Sequence, residues 1–186
     1  MQFGIMVPYQ LGPIHSGEYA TAFARMVEEV GFESVWVAEH AVMCVALAST
    51  YPYDPSGRPP FHEHVIQPDP LIWLSYVAAA TRRLRLATGI LILPQREPVV
   101  LAKTLATLDC MSGGRLLLGI GVGWNREESQ AIGACFVDQW IPHNPLTMGQ
   151  HGYGSETQRT ATTAAEHIVR DGMEIDSPEA VAEHLE

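Results

Sequence analysis

The sequence is poor in cysteine and in basic residues, and both shortages exclude classes of protein. Its three cysteines, Cys44, Cys110 and Cys135, form no Cys-x-x-Cys pair and leave one unmatched. This pattern argues against a disulfide framework or a structural zinc site and favours a reducing compartment. Lysine and arginine together number 11 against 21 aspartates and glutamates, which gives a formal net charge of −10. Non-specific nucleic-acid binding needs a basic surface, so no nucleic-acid partner is expected.

Long apolar runs are also missing. The run 71–80 stops at Thr81-Arg82-Arg83, which is too short to cross a bilayer. No basic region precedes the strand-like run 3–8, so no signal peptide is expected, and the predicted location is cytoplasmic without membrane association. We find no repeats or low-complexity tracts, and 186 residues predict a single domain with a sizeable core.

The segment 84–124 organises the rest of the chain. It contains two apolar runs without period-two alternation, 84–94 and 115–124, which predict parallel strands buried on both faces. The amphipathic stretch between them has Pro98 near its start and Gly113-Gly114 after its end, as is typical of a helix. A β-α-β unit follows. Gly121 and Gly123 lie at the carboxyl end of its second strand, where ligands bind in such folds.

The remaining patterns extend this unit in both directions. Strands are predicted at 3–8 and 34–40, and helices at 17–30, from Asp69 or Pro70 to 83, and at 125–134, with a long irregular loop over 41–70. Four β/α units make half of a (β/α)₈ barrel, which typically has roughly 250 residues. After Cys135 the pattern breaks, with helices predicted only at 160–171 and from Ser177. The predicted fold class is therefore α/β, a partial (β/α)₈ TIM barrel whose tail, 136–186, diverges.

Five segments together resemble the luciferase-like monooxygenase superfamily, in its branch that uses the deazaflavin coenzyme F420. They read FGIMVP, SVWVAEH, YPYDPSGRPP, LATGILILPQREPVVLAKTLATLD and SGGRLLLGIGVGWNREE. The resemblance implies a barrel with its cofactor in the carboxyl-end mouth and hydride transfer between F420, or alternatively FMN, and a small organic substrate. Only the end, DSPEAVAEHLE, resembles the family's last helix, so the chain reads like a barrel whose second half was deleted or replaced.

The resemblance also implies which residues form the site. Glu39 and His40 occupy the positions whose side chains reach the substrate, although the family often has Asp where this chain has Glu39. An imidazole can move a proton as hydride moves. His40 is thus the candidate catalytic residue, the alternative being a hydrogen-bonded rim residue. Glu39 is predicted to orient His40 or contact the substrate, or else to be a solvated charge. A non-prolyl cis peptide at Gly89-Ile90 is predicted to back the cofactor ring.

The glycine-rich stretch after the fourth predicted strand is the other candidate cofactor contact. Gly119, Gly121 and Gly123 do not match a dinucleotide fingerprint, and they provide backbone clearance at a narrow strand end or beside a flat ring. Trp124 is predicted to line the pocket or to be a core residue. Asn125-Arg126 opens the next predicted helix. One interpretation is that this helix start binds an anionic cofactor group, and the other is that Asn125 is simply the N-cap.

The long loop offers weaker candidates. His62 and His64 flank Glu63, but no fourth ligand is suitably spaced, so a solvated loop is favoured over a metal site and no metal is predicted. Tyr51 and Tyr53 fall where family members have their substrate loop, or else form a surface turn. No Ser-His-Asp or Cys-His spacing indicates nucleophilic catalysis.

Two functional hypotheses follow. The first is an F420-dependent (alternatively FMN-dependent) oxidoreductase of the luciferase-like class. The second is a catalytically inactive half-barrel that covers its exposed strand edges and apolar face by pairing with itself, and that serves as a binding protein. A homodimer is expected in either case.

Overall fold

The computed structural model describes residues 2–136, which form four successive strand–helix units. The helices are α1 (Gly17–Val30), α2 (Pro70–Ala80), α3 (Pro98–Ser112) and α4 (Arg126–Ala131). The strands are β1 (Gly4–Met6), β2 (Ser34–Val37), β3 (Arg85–Thr88), β4 (Leu91–Ile92), β5 (Leu116–Leu117) and β6 (Ile120–Gly121). A short 3₁₀ turn, Leu93–Gln95, follows β4. The divergent tail and the two helices predicted within it lie outside the described residues.

All strand pairs are parallel, as the apolar runs predict. The main sheet has the order β1-β2-β3-β5, with Ile5 beside Val35, Val35 beside Leu86, and Leu86 beside Leu116. A second ladder pairs β4 with β6. The predicted strand 84–94 is thus divided into β3 and β4, with two residues between them. The predicted strand 115–124 is divided in the same way into β5 and β6. The first separation is Gly89-Ile90, and the predicted cis peptide bond is present there.

Thr88 and Gly119 join the two neighbouring chains where their ladders break. The Thr88 hydroxyl donates to the Gly119 carbonyl oxygen at 2.7 Å and accepts from the Gly119 N–H at 2.9 Å. A side chain at position 119 would collide with the Thr88 carbonyl oxygen. Glycine is required here because two backbones approach closely, which is the clearance role predicted for this stretch.

The helices cover one face of the sheet. Val35, Val37 and Leu86 are fully buried in the core that α1, α2 and α3 form against the sheet. Met6 and Trp36 lie on the opposite face, where both approach Gly89, and Met6 is 47% exposed. This face is open within the described part of the chain.

Burial of the strands differs from the prediction at one edge. Both residues of β4 and three of the four in β3 are buried, as expected. The prediction of two buried faces is wrong for β5 and β6, which are only partly buried. Among residues 2–136, β5 is the last strand of the main sheet, so no neighbouring strand covers its outer side.

The helix boundaries follow local signals. α1 has the predicted bounds, and it ends where Gly31 adopts a left-handed conformation with φ 95°. α2 begins at Pro70 after the Asp69 N-cap but ends at Ala80, three residues earlier than predicted. α4 is shorter than predicted. No helix within residues 2–136 is both long enough and apolar enough to cross a membrane.

Two charged side chains hold the amino edge of the sheet, where the chain enters each strand. One Glu28 carboxylate oxygen accepts hydrogen bonds from the backbone N–H groups of residues 82, 83 and 84, at 2.6–2.9 Å. Arg115 donates to the carbonyl oxygens of Ala78, Leu84 and Ser112 and to the Thr81 hydroxyl, at 2.7–2.9 Å. Both side chains therefore satisfy the polar groups of turns rather than other charges.

Candidate functional site

The candidate site lies at the opposite, carboxyl edge of the sheet, where β2 ends and the chain turns polar. Tyr9, which follows β1, holds this turn: its hydroxyl accepts from the Ala38 N–H at 2.5 Å and lies 3.3 Å from the Ala38 carbonyl oxygen. Burial raises the pKa of Tyr9 to about 12, so the hydroxyl stays protonated. The next two residues are Glu39 and His40, and their side chains enter separate networks.

His40 is paired with a carboxylate far along the chain. Its Nδ1 lies 2.7 Å from Oε2 of Glu128 on α4; the His40 side chain is 8% exposed and that of Glu128 is 0% exposed. The other Glu128 oxygen accepts from the Ala41 N–H at 2.5 Å and from the Val42 N–H at 3.4 Å. The Glu128 carboxylate, itself oriented by backbone N–H groups, thus holds the imidazole at the carboxyl edge of the sheet.

Glu39 belongs to an arginine-centred network. Its Oε2 accepts from the Ile92 N–H at 2.5 Å, and its Oε1 accepts from Nε of Arg96 at 2.8 Å and from the guanidinium NH2 group. The same guanidinium donates to Asp69 at 2.7 Å, and the other Asp69 oxygen caps α2. Arg96 therefore joins the end of β2, the start of α2 and the segment after β4.

The electrostatics of this network reflect one cation shared by two anions. Burial raises the pKa of Glu39, and the nearby Asp69 charge adds to this, although hydrogen bonds from Arg96 and Ile92 act in the opposite direction. Burial alone would lower the pKa of Arg96, but hydrogen bonds to both carboxylates outweigh it and raise the pKa. Arg96 is thus firmly cationic and compensates Glu39 only in part.

The cis peptide segment forms an apolar platform beside this network. A Cβ atom at Gly121 would lie 2.7 Å from Cδ1 of Ile90, so the absence of a side chain at Gly121 makes room for that isoleucine. Gly123 has φ 78°, and a Cβ atom there would lie 3.0 Å from Cγ2 of Ile92. Ile90 rests over Gly121 and is still 37% exposed. An exposed apolar platform of this kind fits the flat ring of a deazaflavin or flavin.

Aromatic rings from the long loop surround the imidazole. The His40 ring centroid lies 5.5 Å from that of Phe61 and 5.9 Å from that of Trp124. Tyr51 packs edge-on against Trp124 at 5.1 Å and against Tyr53 at 5.3 Å. Trp124 and Tyr51 therefore lie beside His40 and not in the main core, and that Trp124 lines a cofactor pocket stays a prediction.

A pocket of about 440 Å³ opens beside these rings, and Phe61 is part of its wall. Its other apolar lining residues are Pro8, Leu11, Pro60 and Val65. Tyr9 and two glutamines supply the polar lining, and no charged side chain of the described residues lines it. The lining of this pocket is therefore largely apolar.

His62 and His64 lie on the exposed loop, and Asn125 caps the helix that carries Glu128. The His62 and His64 ring centroids are 6.3 Å apart, and the His64 side chain is 83% exposed. Among residues 2–136, no three potential ligands converge on a metal position. Asn125 is the N-cap of α4, since its side-chain oxygen accepts from the Glu128 N–H at 3.0 Å. The three cysteines are free thiols.

Three residues of the site were not predicted to belong to it from the sequence: Asp69, Arg96 and Glu128. Glu128 stands three residues after the Asn125 cap, the spacing of a capping box, and this signal marks the residue without revealing its partner. Its contact with His40 spans 88 positions of sequence and depends on the packing of α4 against the loop after β2.

Comparison with known proteins identifies the family of this chain. The family model for luciferase-like monooxygenases matches residues 1–146. The chain belongs to this family, and its fold is a partial (β/α)₈ barrel, as predicted. Over 117 residues it is 36% identical to the F420-dependent glucose-6-phosphate dehydrogenase of Kineococcus radiotolerans, covering 62% of this chain and 30% of that enzyme.

Solved structures show the same partial coverage. The monooxygenase RslO1 of Streptomyces bottropensis is similar with a TM-score of 0.60 and 28% identity, over 90% of this chain and 42% of that one. An FMN complex of the oxygenating constituent of 3,6-diketocamphane monooxygenase, from Pseudomonas putida, shares the fold with a TM-score of 0.53, at 19% identity over 92% and 38% of the two chains. Family members use F420 or FMN, and this chain spans less than half the length of these relatives.

Proposed function

We propose that this protein is an oxidoreductase that transfers hydride between F420, or alternatively FMN, and a small organic substrate. The observation that carries the proposal is the pairing of buried His40 with Glu128 at the same sheet edge as the cis Gly89-Ile90 segment. When bound, the deazaflavin or flavin supplies the hydride-accepting and hydride-donating ring. The residues of the chain bind that ring, orient the substrate and move the proton.

His40 is the proposed proton-transfer residue. Its Nδ1 is engaged by Glu128, which leaves Nε2 to exchange a proton with a substrate oxygen or nitrogen. The surrounding Phe61 and Trp124 rings limit access of water to the imidazole, and a drier site strengthens its polar interactions.

Glu39 was predicted to orient His40, to contact the substrate or to be a solvated charge, and the last alternative is wrong because the side chain is buried. Both of its oxygens are taken, by the Ile92 N–H and by Arg96, and the residue is 4% exposed. We therefore propose that Glu39 positions the segment after Ile90, and with it the platform for the ring. Ile90 provides the contact surface, Gly121 and Gly123 provide the clearance, and Trp124 packs against His40.

The neighbouring pocket supports an uncharged, largely apolar substrate. Its wall of prolines, Leu11, Phe61 and Val65 buries apolar surface but provides no cation for a phosphate group. Arg96, which lies at this edge, already serves two carboxylates.

Titration of the purified protein with F420 and, separately, with FMN tests the proposal. We expect saturable fluorescence quenching by one of the two at concentrations on the order of tens of micromolar. Ile90→Ala removes the platform and should weaken binding by about 10-fold. Ile72→Ala is the matched control, because Ile72 is an exposed isoleucine on α2, and it should leave affinity unchanged. Absence of quenching by both cofactors would contradict the proposal.

The homodimer, the cytoplasmic location and the absence of nucleic-acid partners stay predictions. The open sheet face that carries Met6 and the partly exposed edge at β5 are the surfaces that favour self-association.

A further inference from the structure

We propose that Glu128 is the positioning residue for His40: it holds the imidazole in the tautomer with the proton on Nδ1 and so assigns proton exchange to Nε2. The inference deepens the proposed function and rests on it for the role of His40. The tautomer itself does not depend on any cofactor, so it is measurable on the protein alone.

The two oxygens of Glu128 have different partners, and this asymmetry fixes the direction of the hydrogen bond. Oε1 faces two backbone N–H groups, those of Ala41 and Val42, which only donate. Oε2 faces Nδ1 of His40 at 2.7 Å. A carboxylate only accepts hydrogen bonds, so Nδ1 carries the proton in this pair. The same arrangement orients histidines beside metals and in hydrolase triads.

Glu128 is also held rigidly enough to impose this orientation. It is fully buried, and its own N–H is bonded to the Asn125 cap at 3.0 Å. Within residues 2–136, no hydrogen-bond partner lies at Nε2 of His40. The imidazole is therefore held through Nδ1 and, among the described residues, Nε2 is left for a ligand.

Glu127 provides a natural comparison on the same helix. It too accepts from backbone N–H groups of the loop after β2, those of Ala48 at 2.9 Å and Ser49 at 3.2 Å. The two glutamates thus anchor the two ends of the segment 41–49. Of the two, Glu128 is the residue that contacts the imidazole.

Glu128→Gln is the informative substitution because it keeps the shape of the side chain. The Ala41 N–H still requires an acceptor, so the amide oxygen must take the place of Oε1. The amide NH2 group then faces Nδ1 and can only donate, which forces the ring proton to Nε2. Glu128→Asp retains a carboxylate and should preserve the original tautomer.

The experiment is nitrogen-detected NMR of the histidine rings, with the His40 signals assigned by their loss in His40→Gln. We expect a protonated Nδ1 in the wild type and in Glu128→Asp, and a protonated Nε2 in Glu128→Gln. Glu127→Gln is the control and should match the wild type. A wild-type proton on Nε2, an unchanged tautomer in folded Glu128→Gln, or the same change in Glu127→Gln would each overturn the inference.

Activity provides the second readout once a substrate is in hand. Glu128→Gln should lower kcat by at least roughly 100-fold with KM nearly unchanged, since Glu128 positions His40 and does not reach the substrate. An equal fall of kcat in Glu127→Gln would contradict this. If Glu128→Gln fails to fold, the wild-type and Glu128→Asp spectra still decide the tautomer. A correct tautomer without cofactor binding would leave this pairing intact and remove the proposed function instead.

Discussion

The two edges of the sheet differ in the hydrogen-bond partners of Glu28 and Arg115 on one side and of Glu39 and His40 on the other. At the amino edge, Glu28 and Arg115 each make several hydrogen bonds to backbone groups of turns. At the carboxyl edge, charged and ionisable groups face each other: Glu39 with Arg96, and His40 with Glu128. In β/α folds the amino edge supports stability and the carboxyl edge carries the chemistry. In this chain, Glu39 and Glu128 bond to an ionisable partner as well as to backbone N–H groups, whereas Glu28 and Arg115 bond to backbone and hydroxyl groups.

The difference has an energetic reason. A charge bonded to several turn amides or carbonyls stabilises the fold by satisfying those backbone groups. A buried charge paired with another charge contributes little net stability, because desolvation offsets the attraction, yet removing one partner is costly. Such pairs are therefore expected where geometry is needed more than stability.

The largest effect on stability is expected for Arg96→Met. It leaves the buried Glu39 carboxylate with the Ile92 N–H alone and should lower the free energy of unfolding by ~3 kcal/mol. Urea denaturation measures this. The control is Arg85→Met, which breaks the more exposed pair with Glu33 at 3.3 Å and should cost only ~0.5 kcal/mol.

A double variant tests whether the unpaired Glu39 carboxylate causes the loss of stability in Arg96→Met. Arg96→Met combined with Glu39→Gln removes both charges and should recover most of the lost stability. A double variant no more stable than Arg96→Met would mean that Arg96 acts mainly through packing. Equal losses in Arg96→Met and Arg85→Met would erase the distinction between paired charges at the mouth and at the surface.

A smaller loss is expected at the amino edge for Arg115→Met. It leaves the carbonyl oxygens of Ala78, Leu84 and Ser112 without this donor and should cost ~2 kcal/mol by urea denaturation. Cofactor affinity should not change, because the site lies at the other edge. Arg115→Lys retains the charge but not the planar fork of donors, and should lose nearly as much. A fully stable Arg115→Lys variant would contradict the role of the planar donors. Weakened cofactor binding in Arg115→Met or Arg115→Lys would contradict the separation of the two sheet edges.

The smallest effect, about 1 kcal/mol at neutral pH, is expected for Glu28→Gln. Partial burial acts to raise the pKa of Glu28, but three backbone N–H donors and the Arg83 charge lower it below its ordinary value of 4.5. A carboxyl whose pKa is lower in the folded state stabilises the fold above its ordinary pKa, and this contribution disappears as the pH falls through the folded-state pKa.

Unfolding curves between neutral and acid pH check this prediction. The difference in the free energy of unfolding between wild type and Glu28→Gln should have its full size above pH 4.5 and should decrease progressively below it. Glu29→Gln, at the exposed neighbouring position, is the control and should follow the wild type throughout. A gap that persists at strongly acid pH would show that the carboxylate charge is not the source of the stabilisation.

Sequence patterns predicted the helices better than the strands. The bounds of α1 were correct because helical spacing and the Gly31 stop are local signals. α2 ends before its predicted end, since the backbone amides of residues 82–84 are bound by Glu28 from another helix. The two long apolar runs carried no signal for their interruptions. The break at Gly89-Ile90 was predicted from the family resemblance alone.

Local sequence patterns were enough to predict the order of the β/α units, the parallel sheet and the place of Glu39 and His40 at the end of β2, because periodicity, capping and apolar runs act over a few residues. Tertiary structure alone decided what those two neighbours contact. Their partners lie 53 to 88 positions away, at Ile92, Arg96 and Glu128. Parallel strands bring their carboxyl ends together whatever the distance along the chain, so the chemistry of this edge is set by packing and not by local sequence.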